Sequence, residues 1–286
     1  MTENTEYTTR PVLVTGATGM TGRRVLARLR ERGVPARAAS RSSEWAFDWS
    51  DPATWDQVLE GAGAVYLVQN DVDPRTPAFV ARAVAHGVGR IVQLSARGVD
   101  VPGYYGDRED AIAHLVGEEA VKASGLEWTV LRPGWFAHNF SEGLLADQVR
   151  AGVLRLPAGD GAASWIDARD IADVAVAALT EPGHHGRTYV LSGARLLTLA
   201  EVAARISAAA GRAVRYEPVS VEEYVADRRG QGWTEEESRE MAMVISPIER
   251  GNEAELTTGV QEALGREPRD FSDYVAEAFE REAEHA

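Results

Sequence analysis

Three glycines spaced three apart, Gly16, Gly19 and Gly22, follow directly on the apolar run VLV and lead directly into an amphipathic segment. An apolar run ended by closely spaced glycines predicts a strand that turns sharply, because glycine tolerates backbone conformations other residues avoid. The segment after the turn has helical period. Val25, Leu26 and Leu29 fall on one side, Arg23, Arg24, Arg28, Arg30 and Glu31 take the rest, and Gly33 supplies the stop. Strand, glycine turn and helix together commit the chain to an α/β design.

The alternation continues along the chain. VPARAAS, AVYLV, RIVQLSA and EWTVLRPG read as strands, and DPATWDQVLEGA, FVARAVAHGV and REDAIAHLVGEEAVKASG as helices between them. This rhythm predicts a Rossmann-type, doubly wound parallel sheet, with six parallel strands expected. The expected organisation is an N-terminal tail over residues 1–10, a Rossmann domain over 11–140 and a smaller interleaved region over 141–286, with about residues 165–193 returning to the Rossmann core. In that second region DIADVAVAALTEPG reads as a core helix with Asp170 at or near its N-cap, RTYVLSG as a strand and LTLAEVAARISAAAG as a helix capped by Thr198. TEEESRE reads as a solvated helix face, His184 and His185 as exposed turn residues, and DFSDYVAEAFEREAEHA as a closing helix.

A GxxGxxG turn between a strand and a helix brings backbone N–H groups and a helix N-terminus against a pyrophosphate. The turn GATGMTG, with Thr18, Met20 and Thr21 between its glycines, is therefore a dinucleotide-binding candidate. The second strand ends in AASRSS. Ser40 stands where an NAD-selective site needs an acid, and Arg41, flanked by hydroxyls, suits the 2′-phosphate of NADP(H). Asp48 is a candidate acceptor for the adenine amino group.

Composition excludes several other classes. Acidic residues outnumber basic ones by 44 to 30, a net charge of -14 that disfavours nucleic acid and anionic membrane as partners. The chain has no cysteine, which removes disulfides, thiolate nucleophiles and cysteine-ligated metals. The polar N-terminus MTENTEYTTR and the lack of a long apolar run predict a cytoplasmic protein acting on a small molecule, as a monomer or homodimer.

Taken with VLVTGATGMTG, HGVGRIVQLSA, SGLEWTVLRPGWFAHNF and DARDIADVA, the chain resembles the NmrA-like, atypical short-chain dehydrogenase/reductase family over most of its length. The stretch SRSSEWAFDWSDPATWDQVLEGAGAVYLV looks most like the agroclavine-dehydrogenase type, NADPH-linked reductases of iminium-type intermediates, and its bacterial relatives. Quinone reductases share the frame. The resemblance implies that Val68, Gln69 and Asn70 line the cofactor, that Ser95 lies near the nicotinamide ribose, and that Pro133, Gly134 and Phe136 border the nicotinamide. It also implies pocket-wall roles for Trp135, Asn139 and Phe140. Tyr105 and Trp165 are further candidates for the substrate pocket.

The wider superfamily uses a Tyr and, four residues later, a Lys; here those positions align with Asp110 and His114. Tyr104 and Tyr105 precede the helix at the wrong spacing. Asp110, His114 and Glu118 recur every fourth residue and share one helical face, which makes His114 a candidate ribose-holding group or proton donor oriented by Asp110. The same pattern also describes a solvated salt-bridge face. A metal site is not expected, since i, i+4, i+8 positions spread over about 12 Å.

Without the Tyr–Lys pair, acceptors that need no strong acid are favoured: an iminium already carries the charge that hydride neutralises, and a quinone yields a stabilised phenolate. The sequence thus predicts an NADPH-dependent reductase of C=N, C=C or C=O acceptors in secondary metabolism. Two alternatives stay open: an NADP-binding redox sensor without turnover, and a non-redox cyclase or isomerase.

Overall fold

In the computed structural model, which describes residues 10–70, 75–106 and 111–280, β1 (Val12–Val14) enters the glycine turn and emerges into α1 (Gly22–Glu31). Next come β2 (Ala36–Ser40), β3 (Trp45–Ala46), α2 (Trp55–Leu59), β4 (Ala64–Val68), α3 (Thr76–Ala85) and β5 (Arg90–Leu94). The chain continues through α4 (Ala111–Ala123), β6 (Glu127–Pro133), α5 (Ala146–Arg150), β7 (Val153–Leu156), β8 (Ala162–Ala163), α6 (Ala168–Thr180) and β9 (Arg187–Leu191). It ends with β10 (Leu197–Thr198), α7 (Leu199–Ala210), β11 (Arg215–Pro218), α8 (Val221–Gly230), α9 (Glu235–Glu249), α10 (Gly259–Leu264) and α11 (Phe271–Val275).

Among the described residues seven strands form one parallel sheet in the order β3-β2-β1-β4-β5-β6-β9. The first six positions have the doubly wound order, with the switch point between β1 and β4. The expected count of six strands is corrected to seven: β3 has only two residues, too few for a period-2 pattern to show.

Alternation along the strands sends side chains to both faces. Leu13, Val65, Leu67 and Ile91 pack with Trp55, Phe79 and Val121 from the side of α2, α3 and α4. Val12, Val14, Tyr66 and Val92 pack on the other side with Val25, Leu26 and Leu29 of α1 and Ile171, Val174 and Ala175 of α6. Both faces are buried, as all-parallel sheets require. A third apolar cluster lies in the C-terminal half and joins Phe140, Leu156 and Trp165 to residues of α7, α9 and α11.

Helix caps test the local readings. Thr198 caps α7 in a capping box with Glu201. The TEEESRE run opens α9, where Thr234 and Glu237 form another capping box. The α6 cap is Asp167 rather than Asp170: Asp167 accepts from the Arg169 backbone N–H at 2.7 Å. Asp170 is buried one turn on, where it accepts from Arg266 at 2.7 Å and from the Arg269 backbone N–H at 2.7 Å. His184 is likewise buried rather than exposed, its Nδ1 2.9 Å from the Tyr189 hydroxyl, whereas His185 is exposed. Among the described residues no helix is long and apolar enough to cross a membrane.

Candidate functional site

The glycine turn is built by close backbone approach. Gly16 has φ +59°, and a Cβ on it would lie 3.1 Å from the Val68 Cβ at the end of β4; a Cβ on Gly22 would lie 2.2 Å from the Gly16 carbonyl oxygen, so only glycine lets α1 start against the turn. The Gly19 N–H donates to the Gly16 carbonyl at 2.9 Å and closes the loop. No acid stands in the first turn of α1, and Thr21 at its N-cap makes no side-chain cap, which leaves that helix end electropositive. Beneath it the buried Thr15 Oγ1 accepts from the Val68 N–H at 2.7 Å and ties the ends of β1 and β4 together at the switch point. A cradle that any side chain would fill, beside a helix end that favours anions, fits a dinucleotide pyrophosphate.

At the end of β2 the Ser43 hydroxyl accepts from the Ser40 N–H at 2.9 Å and donates to the Trp45 carbonyl at 2.9 Å, so it shapes the turn that leaves Arg41 exposed. The Asp48 carboxylate accepts from the Ser50 hydroxyl at 2.7 Å and from its N–H at 2.8 Å; these bonds hold it below the usual carboxylate range. Phe47, Trp49, Trp55 and Phe79 form a cluster of edge-on ring contacts behind this turn.

A cavity of about 410 Å³ opens at the C-terminal ends of β4, β5 and β6. It brings together Val68, Gln69, Ser95, His114, Pro133, Gly134 and Phe136 from the expected cofactor set. Tyr105, Trp135 and Asn139 of the expected substrate set share its wall. Phe140 and Trp165 do not: both lie in the core behind it, stacked edge-on at 4.9 Å, with Trp165 6.1 Å from Trp135. The Trp165 indole N–H donates to the Leu197 carbonyl at 3.1 Å, a bond made inside the core. Asn70 is half-buried just beyond the wall. Asp110 lies outside the described residues.

Only part of the helical row faces the cavity. His114 lines it, whereas Glu118 is buried below and serves as a hub. It accepts from the Ser95 hydroxyl at 2.7 Å, from Lys122 at 2.8 Å and from Arg132 at 2.8 and 2.7 Å. Burial pushes this carboxyl up, but its bonds to Arg132, Lys122 and Ser95 outweigh that and hold it below the usual range. A solvated salt-bridge face does not describe Glu118. Ser95 is thereby oriented through its hydroxyl by a residue 23 positions on.

Further wall comes from Leu144, just before α5, and from α9 and the segment after it. Met241, Val244 and Leu144 supply apolar surface, and Glu253 supplies a carboxyl. Sequence reasoning missed all four, since nothing in their local pattern marks them as site residues. Glu253 is 2% exposed and accepts from the Tyr104 hydroxyl at 2.8 Å. Burial raises its carboxyl above the ordinary carboxylate range, against smaller opposing effects of Tyr104 and Arg97.

A doubly wound sheet with such a turn at its switch point defines a dinucleotide-binding protein. Residues 16–182, more than half of the chain, match the family model described as NAD(P)H-binding. The chain belongs to this NAD(P)H-binding family, as an NmrA-like, atypical short-chain dehydrogenase/reductase in the class of NAD(P)H-dependent oxidoreductases. It is 36% identical over 287 residues to a (4-alkanoyl-5-oxo-2,5-dihydrofuran-3-yl)methyl phosphate reductase of Streptomyces griseus subsp. griseus, covering 94% of this chain and 98% of the relative. It is 33% identical over 285 residues to agroclavine dehydrogenase of Claviceps fusiformis, covering 93% and 96%. The fold is shared with the NADPH-dependent quinone oxidoreductase of Escherichia coli, with a TM-score of 0.78 at 24% identity over 94% of this chain and 99% of that one.

Proposed function

We propose that this protein is an NADPH-dependent reductase of a small, conjugated acceptor, a C=N, C=C or quinone-type C=O compound of secondary metabolism. The observation that carries the reading is the mostly apolar cavity of about 410 Å³, walled by Pro133 to Phe136 on one side and by Met241 and Val244 on the other, directly beside the switch point. That volume suits a small flat molecule lying on a nicotinamide ring. Relatives named for a dihydrofuranone phosphate and for agroclavine, and a structural neighbour named for quinones, support an acceptor of this kind.

In this reading Gly16, Thr18, Gly19, Met20, Thr21 and Gly22 hold the pyrophosphate through backbone N–H groups, and Arg41 pairs with the 2′-phosphate. Asp48 faces the adenine; Val68, Gln69, Asn70 and Ser95 follow the ribose and nicotinamide; Pro133, Gly134 and Phe136 border the ring, and His114 holds the ribose side. Bound there, NADPH supplies hydride from C4 of its nicotinamide. The protein contributes orientation and exclusion of water. Tyr105, Trp135 and Asn139 position the acceptor, with Phe140 and Trp165 bracing Trp135 from behind. A cysteine-free chain working in the cytoplasm as a monomer or homodimer completes the reading.

The test mixes pure protein and NADPH with a panel of imines, quinones and conjugated enones and follows the absorbance of the reduced nicotinamide. Oxidation with at least one class is expected. Tight NADPH binding with no oxidation by any acceptor would remove the enzyme reading and leave the redox-sensor one.

A further inference from the structure

We infer that Glu253 is the proton donor of this site, giving the proton on its Oε2 to the heteroatom end of the acceptor as the acceptor is reduced. The inference rests on the reductase reading above and deepens it, because it selects neutral acceptors that must gain a proton with the hydride.

The two carboxyl oxygens of Glu253 are not equivalent. Oε1 accepts from the Tyr104 hydroxyl at 2.8 Å, while Oε2 is buried with no hydrogen-bond partner among the described residues. A buried carboxylate with one bare oxygen is strongly unfavourable, whereas a neutral carboxylic acid in the same pose keeps its accepting oxygen on the phenol and carries its proton on Oε2. Glu253 is part of the cavity wall, beside Gly134. A Cβ on Gly134 would lie 3.2 Å from Oε2, so the carboxyl occupies the space that a side chain would take beside the stretch assigned to the nicotinamide border.

The charges around it leave the proton in place. Arg97 Nη1 is 4.0 Å from Oε2, too far for a hydrogen bond, and its guanidinium is committed to Glu255, donating to the carbonyl at 2.9 Å and to the carboxylate at 3.1 Å. Arg250 donates to the Tyr104 carbonyl at 2.6 Å rather than to Glu253. Tyr105 turns its hydroxyl to the Arg97 carbonyl at 2.6 Å, and His114 stands elsewhere on the cavity wall. Desolvation, which pushes this carboxyl up, acts in the same sense.

The step balances simply. The Glu253 O–H bond breaks and an N–H or O–H bond forms at the acceptor's heteroatom; the other new bond to hydrogen is made by the hydride, with its two electrons, that the reduced nicotinamide would supply, and the carboxylate regains its proton from water as product leaves. Glu253 thus takes the part of the missing tyrosine, from the far end of the chain. A permanently cationic iminium needs no such proton and would be much less sensitive to the residue.

The test compares wild type with Glu253→Gln and Tyr104→Phe. With a quinone or neutral imine, Glu253→Gln should lower kcat by about 10²–10⁴-fold and flatten the alkaline fall of the pH profile, while the loss with an N-alkylated iminium is much smaller. Tyr104→Phe removes a bond that favours the carboxylate, so the alkaline limb should move to higher pH. Independently of turnover, infrared spectra of the protein without cofactor should show a protonated-carboxyl carbonyl band at neutral pH that Glu253→Gln abolishes. If wild type turns over and Glu253→Gln keeps its rate and profile, or the band persists in that variant, the donor assignment is overturned alone. If wild type binds NADPH and oxidises it with no acceptor, the reductase reading falls and the donor role falls with it.

Discussion

Arg132 donates Nε to Glu118 Oε1 at 2.8 Å and Nη2 to Glu118 Oε2 at 2.7 Å, and both side chains are buried beneath the cavity floor. The pair spans α4 and β6, and through Ser95 it reaches the end of β5. Removing Arg132 takes two charged hydrogen bonds from the buried Glu118 and leaves it with Lys122 as its cationic partner. Arg132→Leu should therefore lower unfolding free energy by about 3–5 kcal/mol in urea denaturation, more than Glu118→Gln, which keeps hydrogen-bonding atoms in place. A loss from Arg132→Leu as small as that of a surface ion pair would refute the account.

Arg41 is exposed at the end of β2, beside a turn held by Ser43. A charged hydrogen bond to a phosphate dianion contributes about 1.5–3 kcal/mol, so Arg41→Ala should weaken NADPH binding by roughly tenfold to a hundredfold and leave NADH unchanged. Fluorescence titration of the two cofactors reads the ratio directly. Equal losses would remove Arg41 from the 2′-phosphate site.

How much of this was legible from residue order depends on how local each cause is. The glycine turn and the Thr198 cap involve groups a few residues apart, and both were readable. Asp167 and Asp170 lie three apart in DARD, and the local pattern does not say which one caps; the answer comes from Arg266 and Arg269, whose arrival at Asp170 is a long-range event. His184 reads as exposed because its neighbours are turn residues, yet Tyr189 five residues on offers its ring a buried partner. Glu253 lines the cavity beside Arg250 and Asn252, which bond to the Tyr104 carbonyl 146 and 148 residues earlier in the chain, a long-range contact that no local pattern announces. The helix carries neither residue of the classical pair at the aligned positions, a local pattern that favours iminium acceptors, whereas the Glu253 carboxyl comes from another part of the chain that this pattern cannot show.

Trp135 and Trp165 sit 6.1 Å apart but answer to different environments. Trp165 is fully buried, so Trp165→Ala should cost about 3–5 kcal/mol of stability through lost burial and the cavity left behind. Trp135 is half-buried on the cavity wall, so Trp135→Ala should cost less stability and raise KM for the acceptor instead. Thermal or urea unfolding beside steady-state kinetics separates the two, and similar stability losses in both variants would contradict the core-and-wall assignment.

His138 accepts from the Ala168 N–H through Nδ1 at 3.2 Å, at the start of α6, and is buried. Burial first, and then the charge of Arg24, lower its pKa to about 4, so the folded protein holds it neutral. An unfolded histidine titrates near pH 6.5, so below that value the unfolded chain binds the extra proton and stability falls as pH drops. The contribution is intact above about pH 6.5, is lost progressively down to pH about 4, and totals at most about 3 kcal/mol. His138→Gln lacks this titration. The stability difference between wild type and variant should therefore shift against wild type by roughly 1.4 kcal/mol for each pH unit between about 6 and 4.5. Urea unfolding curves at several pH values measure that slope, and parallel pH dependences in the two proteins would show that His138 is not held neutral in the fold.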